Sequence, residues 1–537
     1  MSIYVAEATT AVRAQLALLA QGRQAIYSSS SSYLTVLFTS LLAAYLLARY
    51  LRSSWRHLPP GPTGYPLIGS VLSLFDKKRF FAACESYGDV VSVNIAGQLV
   101  VILNTQRAAA DLLDRRAVNF SGRPRSIFFH ELLCGGLIIS TEGQTDRWKR
   151  MRRAVHEAFR PSAAGNYYAI EGEEAARLAL ALANNKEAAT AGSFSPLFVH
   201  FAASIILAIT YDRPVRNAED AELVKTVKRM TLFLTKAAAP GSHLVDLFPW
   251  MLAIPDRFAK WKRDAFAWHE RASQFWSGLI EEVKTRMAEG QARPCLVRTL
   301  VEEEGRFGLS DAETMWAAGL MYLAGSETQA MTLEWFTLIM ISHPDIQRRA
   351  QAELDAVIGR GRAPRVGDRD QLPYLSALVR EALRWKSSAP IGLPHVSEED
   401  DWYKGFFIPK GTICIANVYA CHLDPEVYGE DAAYFNPARH LDENGQLKPA
   451  PADTKEEGHI SYGFGRRICV ARHVANDALF AAAAMMLWAF NLQAEGEVDI
   501  DGYIDKGLTI CPKPFVCNFK PRFPEAMTIL KEEINSH

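Results

Sequence analysis

Apolar and polar positions mark out the chain before any motif does. From Tyr33 to Leu51 the sequence reads "YLTVLFTSLLAAYLLARYL", with Arg49 as its only charge. Such a run predicts a helix that crosses a hydrocarbon core, Arg49 snorkelling to the interface. Directly after it, "LPPGPTGYP" carries Pro59, Pro60 and Pro62, which exclude helix and stiffen the backbone. A second apolar run, Thr314–Ile341, contains only Glu327 and Glu334 as charges. Ser310 and Glu313 form a capping box at its start and Ser342-His343-Pro344 ends it, predicting a helix of about 30 residues. Apolar on every side, it reads as a helix through the centre of a body rather than a membrane span. At 90–104, "VVSVNIAGQLVVILN" alternates and is rich in Val and Ile, which predicts strands, and further strands are expected within 388–419.

These patterns give a mainly α chain with a small β region. Residues 1–32 form a short lumenal segment, 33–51 a transmembrane anchor helix, 52–62 a basic and Pro-rich hinge, and 63–537 a single body. Arg49 at the anchor's end and Arg52 and Arg56 after it, against Arg13 and Arg23 before it, put the body on the cytosolic side. A length of 537 residues would allow three or four domains. No Ser/Gly-rich linker, charge block or repeat after residue 62 divides it, so one large body is expected. The net charge of −1 gives no electrostatic case for nucleic acid, and no nucleic-acid partner is expected. Asn119-Phe120-Ser121 matches a glycosylation triplet, unmodified if the body is cytosolic.

The eight cysteines include no C-x-x-C pair, which argues against a zinc site and against a disulfide framework. Seven read as buried, reduced small hydrophobes. Cys469 differs, because "HISYGFGRRICVAR" (459–472) surrounds it with Gly463, Gly465, Arg466 and Arg467. A thiolate needs nearby donors and dipoles, and glycines let a backbone fold tightly around a sulfur. Other groups stand out by spacing. Glu381 and Arg384 face each other at i,i+3 among apolar flanks, and a buried pair of this kind needs a further partner, for which Arg439 in "FNPARHL" is the candidate. Trp148 and Arg152 share one helical face, with Lys149, Arg150 and Arg153 around the rest. In "AGSETQ" (324–329), Gly325 weakens the central helix and the Thr328 hydroxyl can bond back to the Ala324 carbonyl. On its own that stretch reads better as a packing glycine beside a threonine that caps its own carbonyl.

Taken together and in order, these motifs resemble the cytochrome P450 family of haem-thiolate monooxygenases, from about residue 58 to the end, in its microsomal fungal-type form. Trp148-x-x-x-Arg152 is similar to the family's W-x-x-x-R helix, and Ala324–Thr328 to its oxygen-activation motif. Glu381, Arg384 and Arg439 are similar to its E-R-R triad, and Tyr462–Cys469 to its haem-binding loop. The resemblance implies haem b with Cys469 as the axial thiolate, favouring O–O cleavage. It also implies haem contacts from Trp148, Arg152 and Arg467, with Thr328 as hydrogen-bond donor to dioxygen and Glu327 as proton relay. For His395 it suggests a propionate contact, with an ordinary strand histidine the even alternative. A helix from about Val470 should point its N-terminal dipole at the sulfur.

The implied partners are an NADPH-cytochrome P450 reductase, cytochrome b5 as a second donor, dioxygen, a hydrophobic small molecule and membrane lipid. The implied location is the endoplasmic reticulum membrane, single-pass. Lys149, Arg150 and Arg153 offer a docking face for the reductase, or an ordinary solvated basic surface. Apolar stretches at 126–133, 315–325, 388–394 and 506–512 suit a mostly apolar pocket, and the resemblance implies a secondary-metabolite substrate such as a terpenoid or polyketide. The rivals are a thiolate-haem isomerase or dehydratase and a non-catalytic haem sensor. Three departures from the family pattern stand out: Tyr462 for the usual Phe, Ala471 for the usual Gly, and Gln329 for a usual hydroxyl residue.

Overall fold

The computed structural model describes residues 53–535, apart from 66–67, 72–76, 186, 188 and 239–241, together with helical residues at 37–42 and 44–45. The expected lumenal segment 1–32 and most of the expected anchor lie outside the described residues. Among the described residues no helix is long and apolar enough to cross a membrane.

The Ser310–Glu313 capping box opens a helix that runs unbroken over Asp311–Ser342, 32 residues long. It is the axis of the fold. Helix Ser195–Tyr211 packs along it, and Lys260–Ala288, Pro373–Trp385 and Arg472–Ala489 pack against other parts of it. Two glycines set how closely these partners approach. A Cβ on Gly325 would lie 3.0 Å from the Ile206 side chain, and one on Gly319 would lie 2.9 Å from the Trp276 ring. Gly325 thus serves close packing, and the helix is not opened at 324–329.

The predicted strands form a four-stranded sheet. Val90–Ile95 pairs antiparallel with Gln98–Leu103. Ala96 (φ +50°) and Gly97 (φ +90°) make the two-residue turn between them, the backbone that the right-handed strand twist favours. Gln98–Leu103 then pairs in parallel with Ile413–Ala416, which pairs antiparallel with His395–Val396. Two hairpins toward the C-terminus, Phe490–Ala494 with Cys517–Pro521 and Tyr503–Asp505 with Ile510–Pro512, were not foreseen from the pattern.

Two compact units are distinguished. The larger spans Pro60–Glu399 and Lys410–His537. The smaller joins the chain before Pro60 to Asp400–Pro409. In it, strands Asp401–Tyr403 and Phe406–Ile408 form a hairpin, and the His57 and Trp402 rings lie 5.6 Å apart.

Candidate active site

The loop before Cys469 is built by local bonds. Gly463 (φ +81°) turns the chain after the Gly463 N–H donates to the Ile460 carbonyl at 2.9 Å. Gly465 sits at φ +53°, where a Cβ would lie 2.2 Å from the Leu113 carbonyl oxygen, and its N–H donates to the Asp114 carboxylate. Only glycine fits there. The Cys469 N–H donates back to the Tyr462 carbonyl at 2.8 Å and closes the loop. Helix Arg472–Ala489 begins three residues later, with its N-terminal end at the sulfur. Burial pushes the Cys469 thiol pKa up, while the Ala471 N–H and the charges of Arg152 and Arg472 pull it back toward the thiolate.

Two of the sequence departures find their reason here. Tyr462 donates its hydroxyl to Asn476 Oδ1 at 2.7 Å, and Asn476 donates to Glu457 at 2.6 Å. The extra oxygen is therefore satisfied inside the protein. Ala471 has φ −95° and ψ 16°, a backbone open to any L residue, so its methyl does not strain the turn. Gln329 is buried with Oε1 unpartnered, and nothing in the structure explains its choice.

Around the loop three arginines converge. Helix Asp146–Phe159 carries Trp148, buried, and Arg152, whose Nη2 donates to the Ile468 carbonyl. Arg467 lies with its guanidinium 4.0 Å over the Trp148 ring and donates from Nε to the Ser121 carbonyl at 2.9 Å. Arg123 donates to the Leu393 and Pro394 carbonyls at 2.9 and 2.6 Å. Arg467 Nη2 and Arg123 Nε are buried without a partner. Burial, then the neighbouring arginines, lower the Arg123 pKa to about 9 and that of Arg467 to about 10. His395 donates from Nδ1 to the Phe120 carbonyl at 2.6 Å, which fixes its tautomer, because a carbonyl only accepts. Burial first, then Arg123, push its pKa down to about 3, so it is neutral at pH 7.

Among the described residues, none of Arg123, Arg152 and Arg467 has a carboxylate within ion-pair distance. Buried cations of this kind are costly without an anion. The donor set fits a ligand that brings two carboxylates of its own and a metal for the cysteine sulfur. Haem is such a ligand.

Behind the loop, Glu381 is fully buried and accepts from Arg384 at 2.7 and 2.8 Å, from Arg439 at 2.9 Å and from the Asn436 N–H at 2.9 Å. His440 Nε2 completes the shell at 3.0 Å. Burial alone would raise the Glu381 pKa, but the Arg384 and His440 bonds outweigh it and hold it at about 2. Arg439 is the third partner that the sequence called for; Asn436 and His440 were not foreseen.

On the central helix, the Thr328 hydroxyl donates to the Ala324 carbonyl at 2.9 Å, as the spacing predicted. Ala324 is exposed on a helix otherwise buried almost throughout, so this side of the helix faces open space. Glu327 points elsewhere, into a cavity of about 480 Å³ that Thr328 does not line. Burial raises its pKa, opposed by Lys506 and Lys228. The basic helix is less free than its sequence suggested. Lys149 pairs with Asp146 at 2.9 Å and Arg150 with Glu313 at 2.9 Å, while Arg153 is exposed.

A cysteine loop with the N-terminal end of a helix at its sulfur, beside an arginine cradle with no ion-paired carboxylate among the described residues, defines a haem-thiolate protein. Comparison with known proteins gives the family. The cytochrome P450 family model matches residues 59–519. A cytochrome P450 monooxygenase of Armillaria gallica is 47% identical over 95% of this chain and 98% of its own length, and a second from the same fungus is 44% identical over 94% and 98%. Cytochrome P450 monooxygenase 58 of Postia placenta is 39% identical over 95% and 98%. The chain belongs to the cytochrome P450 family. It is an oxidoreductase of the monooxygenase class, with haem iron on a cysteine thiolate. Arg123 is the cradle residue that sequence reasoning missed; "GRPRS" carries no spacing signal, and only the fold brings it to Arg467.

Proposed function

We propose that the protein is a membrane-anchored monooxygenase that binds haem b through Cys469 and inserts one oxygen atom from O2 into a hydrophobic small molecule, of terpenoid or polyketide type. The net reaction is RH + O2 + NADPH + H⁺ → ROH + H2O + NADP⁺, with electrons delivered by a separate flavoprotein reductase. The anchor at 33–51 would hold the body at the cytosolic face of the endoplasmic reticulum. The observation that carries this reading is the arginine cradle beside Cys469, three cations with no carboxylate partner.

When bound, haem supplies the oxidising chemistry, and its thiolate ligand favours O–O cleavage. The chain supplies the rest. Arg123, Arg152 and Arg467 hold the propionates, with Trp148 stacked on Arg467 and neutral His395 fixing the backbone beside them. The Ala471 N–H and Arg152 hold the sulfur toward its anion. Thr328 keeps a hydroxyl proton at the open side of the helix, and Glu327 returns protons to it. The apolar stretch Ile127–Leu133, buried for the most part, favours an apolar substrate.

The test is the reduced carbon-monoxide difference spectrum of the protein and of Cys469→Ser, followed by turnover with a reductase and a panel of apolar substrates. A long-wavelength Soret band lost in the variant, with NADPH-dependent hydroxylation, supports the reading. Product formed without NADPH would make the protein an isomerase or dehydratase instead. A spectrum indifferent to Cys469 would overturn the ligand assignment.

A further inference from the structure

The cavity that holds Glu327 holds a second carboxyl. Glu334 lies seven residues on, two turns and about 10 Å along the same helix face, and it too lines the cavity, as does Ala330 between them. Helices Ser195–Tyr211 and Ala218–Ala237 and the Tyr503–Asp505/Ile510–Pro512 hairpin form the other walls. Neither Glu327 nor Glu334 has an ion-pair partner among the described residues.

Polar atoms of the lining ask for water. Thr231 Oγ1 and Tyr322 Oη are buried with no protein partner, and both residues line this cavity. Buried polar groups are satisfied by ordered water where the protein offers nothing, and a cavity of about 480 Å³ has room for on the order of ten molecules. Lys228, exposed on its helix, stands at the outer wall with half-buried Lys506.

We propose that this chamber is a water-filled proton entry and that Glu334 is its relay, accepting a proton from bulk water and passing it through water to Glu327. The inference rests on the reading of Glu327 given above. The balance is that of proton transfer alone: Glu334 carboxylate takes a proton from hydronium and releases water, then returns to carboxylate as Glu327 is protonated. The reaction written above consumes protons at every turnover, and Glu327 must be refilled from somewhere. The surroundings suit the task. Burial raises the Glu334 pKa, and the Ser195 hydroxyl with Lys506 and Lys228 limits the rise. Glu327, Cys511 and Tyr322, the last two with their pKa pushed upward by burial, are the other titratable groups of the lining beside the lysines. Lys513 is engaged by Asp499 at 3.0 Å.

The experiment compares Glu334→Gln, Glu334→Asp, Glu327→Gln and the double Gln variant as holoenzymes with reductase. Expected for Glu334→Gln is about tenfold slower turnover, less than the full cost of losing a general acid because water still enters. A larger solvent isotope effect on kcat should accompany it, with KM unchanged and recovery in Glu334→Asp. An infrared pH titration should lose one buried carboxyl signal in Glu334→Gln. The double variant should be no slower than Glu327→Gln alone, since the two act in series. A normal isotope effect in Glu334→Gln beside an impaired Glu327→Gln would overturn the relay and leave the Glu327 reading standing. A normal Glu327→Gln would overturn both. Should Glu334→Gln give no folded holoenzyme, Thr231→Val replaces it, and an unchanged isotope effect there counts against the wet chamber.

Discussion

Replacing Glu381 by Gln tests whether the buried network behind the cysteine loop holds the fold by charge or by shape. Glu381 accepts five bonds from Arg384, Arg439, His440 and the Asn436 N–H while fully buried. A glutamine keeps the volume but has one acceptor oxygen, and its amide donors would face donors. Its carboxyl is held at about 2 against an ordinary 4.5, a difference that corresponds to about 3 kcal/mol of stability at pH 7. Arg384, left without its anion, pushes the cost to about 3–5 kcal/mol, while Arg439 keeps Asp431 at 2.7 Å. Because the folded pKa is depressed, this stability is fully present above the unfolded value. It is lost as pH falls from about 4.5 to about 2. The difference between wild type and Glu381→Gln must therefore shrink with acidity. Urea unfolding followed by tryptophan fluorescence and by the Soret band, at neutral pH and stepwise toward pH 3.5, measures it. A loss under about 1 kcal/mol, or one that does not change with pH, would refute the reasoning.

Removing Arg123 should have opposite effects in the two states of the protein. Arg123→Met relieves an uncompensated buried cation, so the haem-free protein should melt higher and haem transfer to apomyoglobin should be faster; a lower melting point with unchanged haem retention would contradict the cradle. Gly465→Ala forces a methyl against the Leu113 carbonyl at φ +53° and should abolish haem incorporation, read as loss of the Soret band at equal expression. Thr328→Ala should keep the thiolate spectrum yet lower product formed per NADPH, with hydrogen peroxide making up the difference; full coupling would remove Thr328 from the proton path. Tyr462→Phe should cost about 1 kcal/mol, the worth of one satisfied hydrogen bond, and leave the carbon-monoxide spectrum unchanged.

What the sequence made legible was whatever the chain fixes over short distances. Trp148 with Arg152, Glu381 with Arg384, Thr328 with Ala324 and the Gly463–Cys469 loop are each set by helical pitch or by turn chemistry, and each is found as the spacing required. Arg439 could be named because a buried ion pair implies a further partner. The groups that escaped are brought in by the fold from far along the chain. Arg123, bonded to the Leu393 and Pro394 carbonyls, comes near Arg467 from far earlier in the chain, and Asp114 arrives from the helical turn Ala110–Arg115 to take the Gly465 N–H. Asn476 is nearer, on the helix that follows the loop, but which turn of that helix would meet the Tyr462 hydroxyl is set by the fold.

Glu327 illustrates the limit most sharply. Sequence set it next to Thr328, and one residue along a helix is about 100° around it, enough to send the two side chains to different spaces. Neighbours in sequence thus become the two banks of the same helix, one facing the open side at Ala324 and the other the chamber with Glu334. Under the proposed relay, a proton that enters by one bank and is used at the other would cross the helix at this dipeptide. Gly325 beside it is packed close against Ile206.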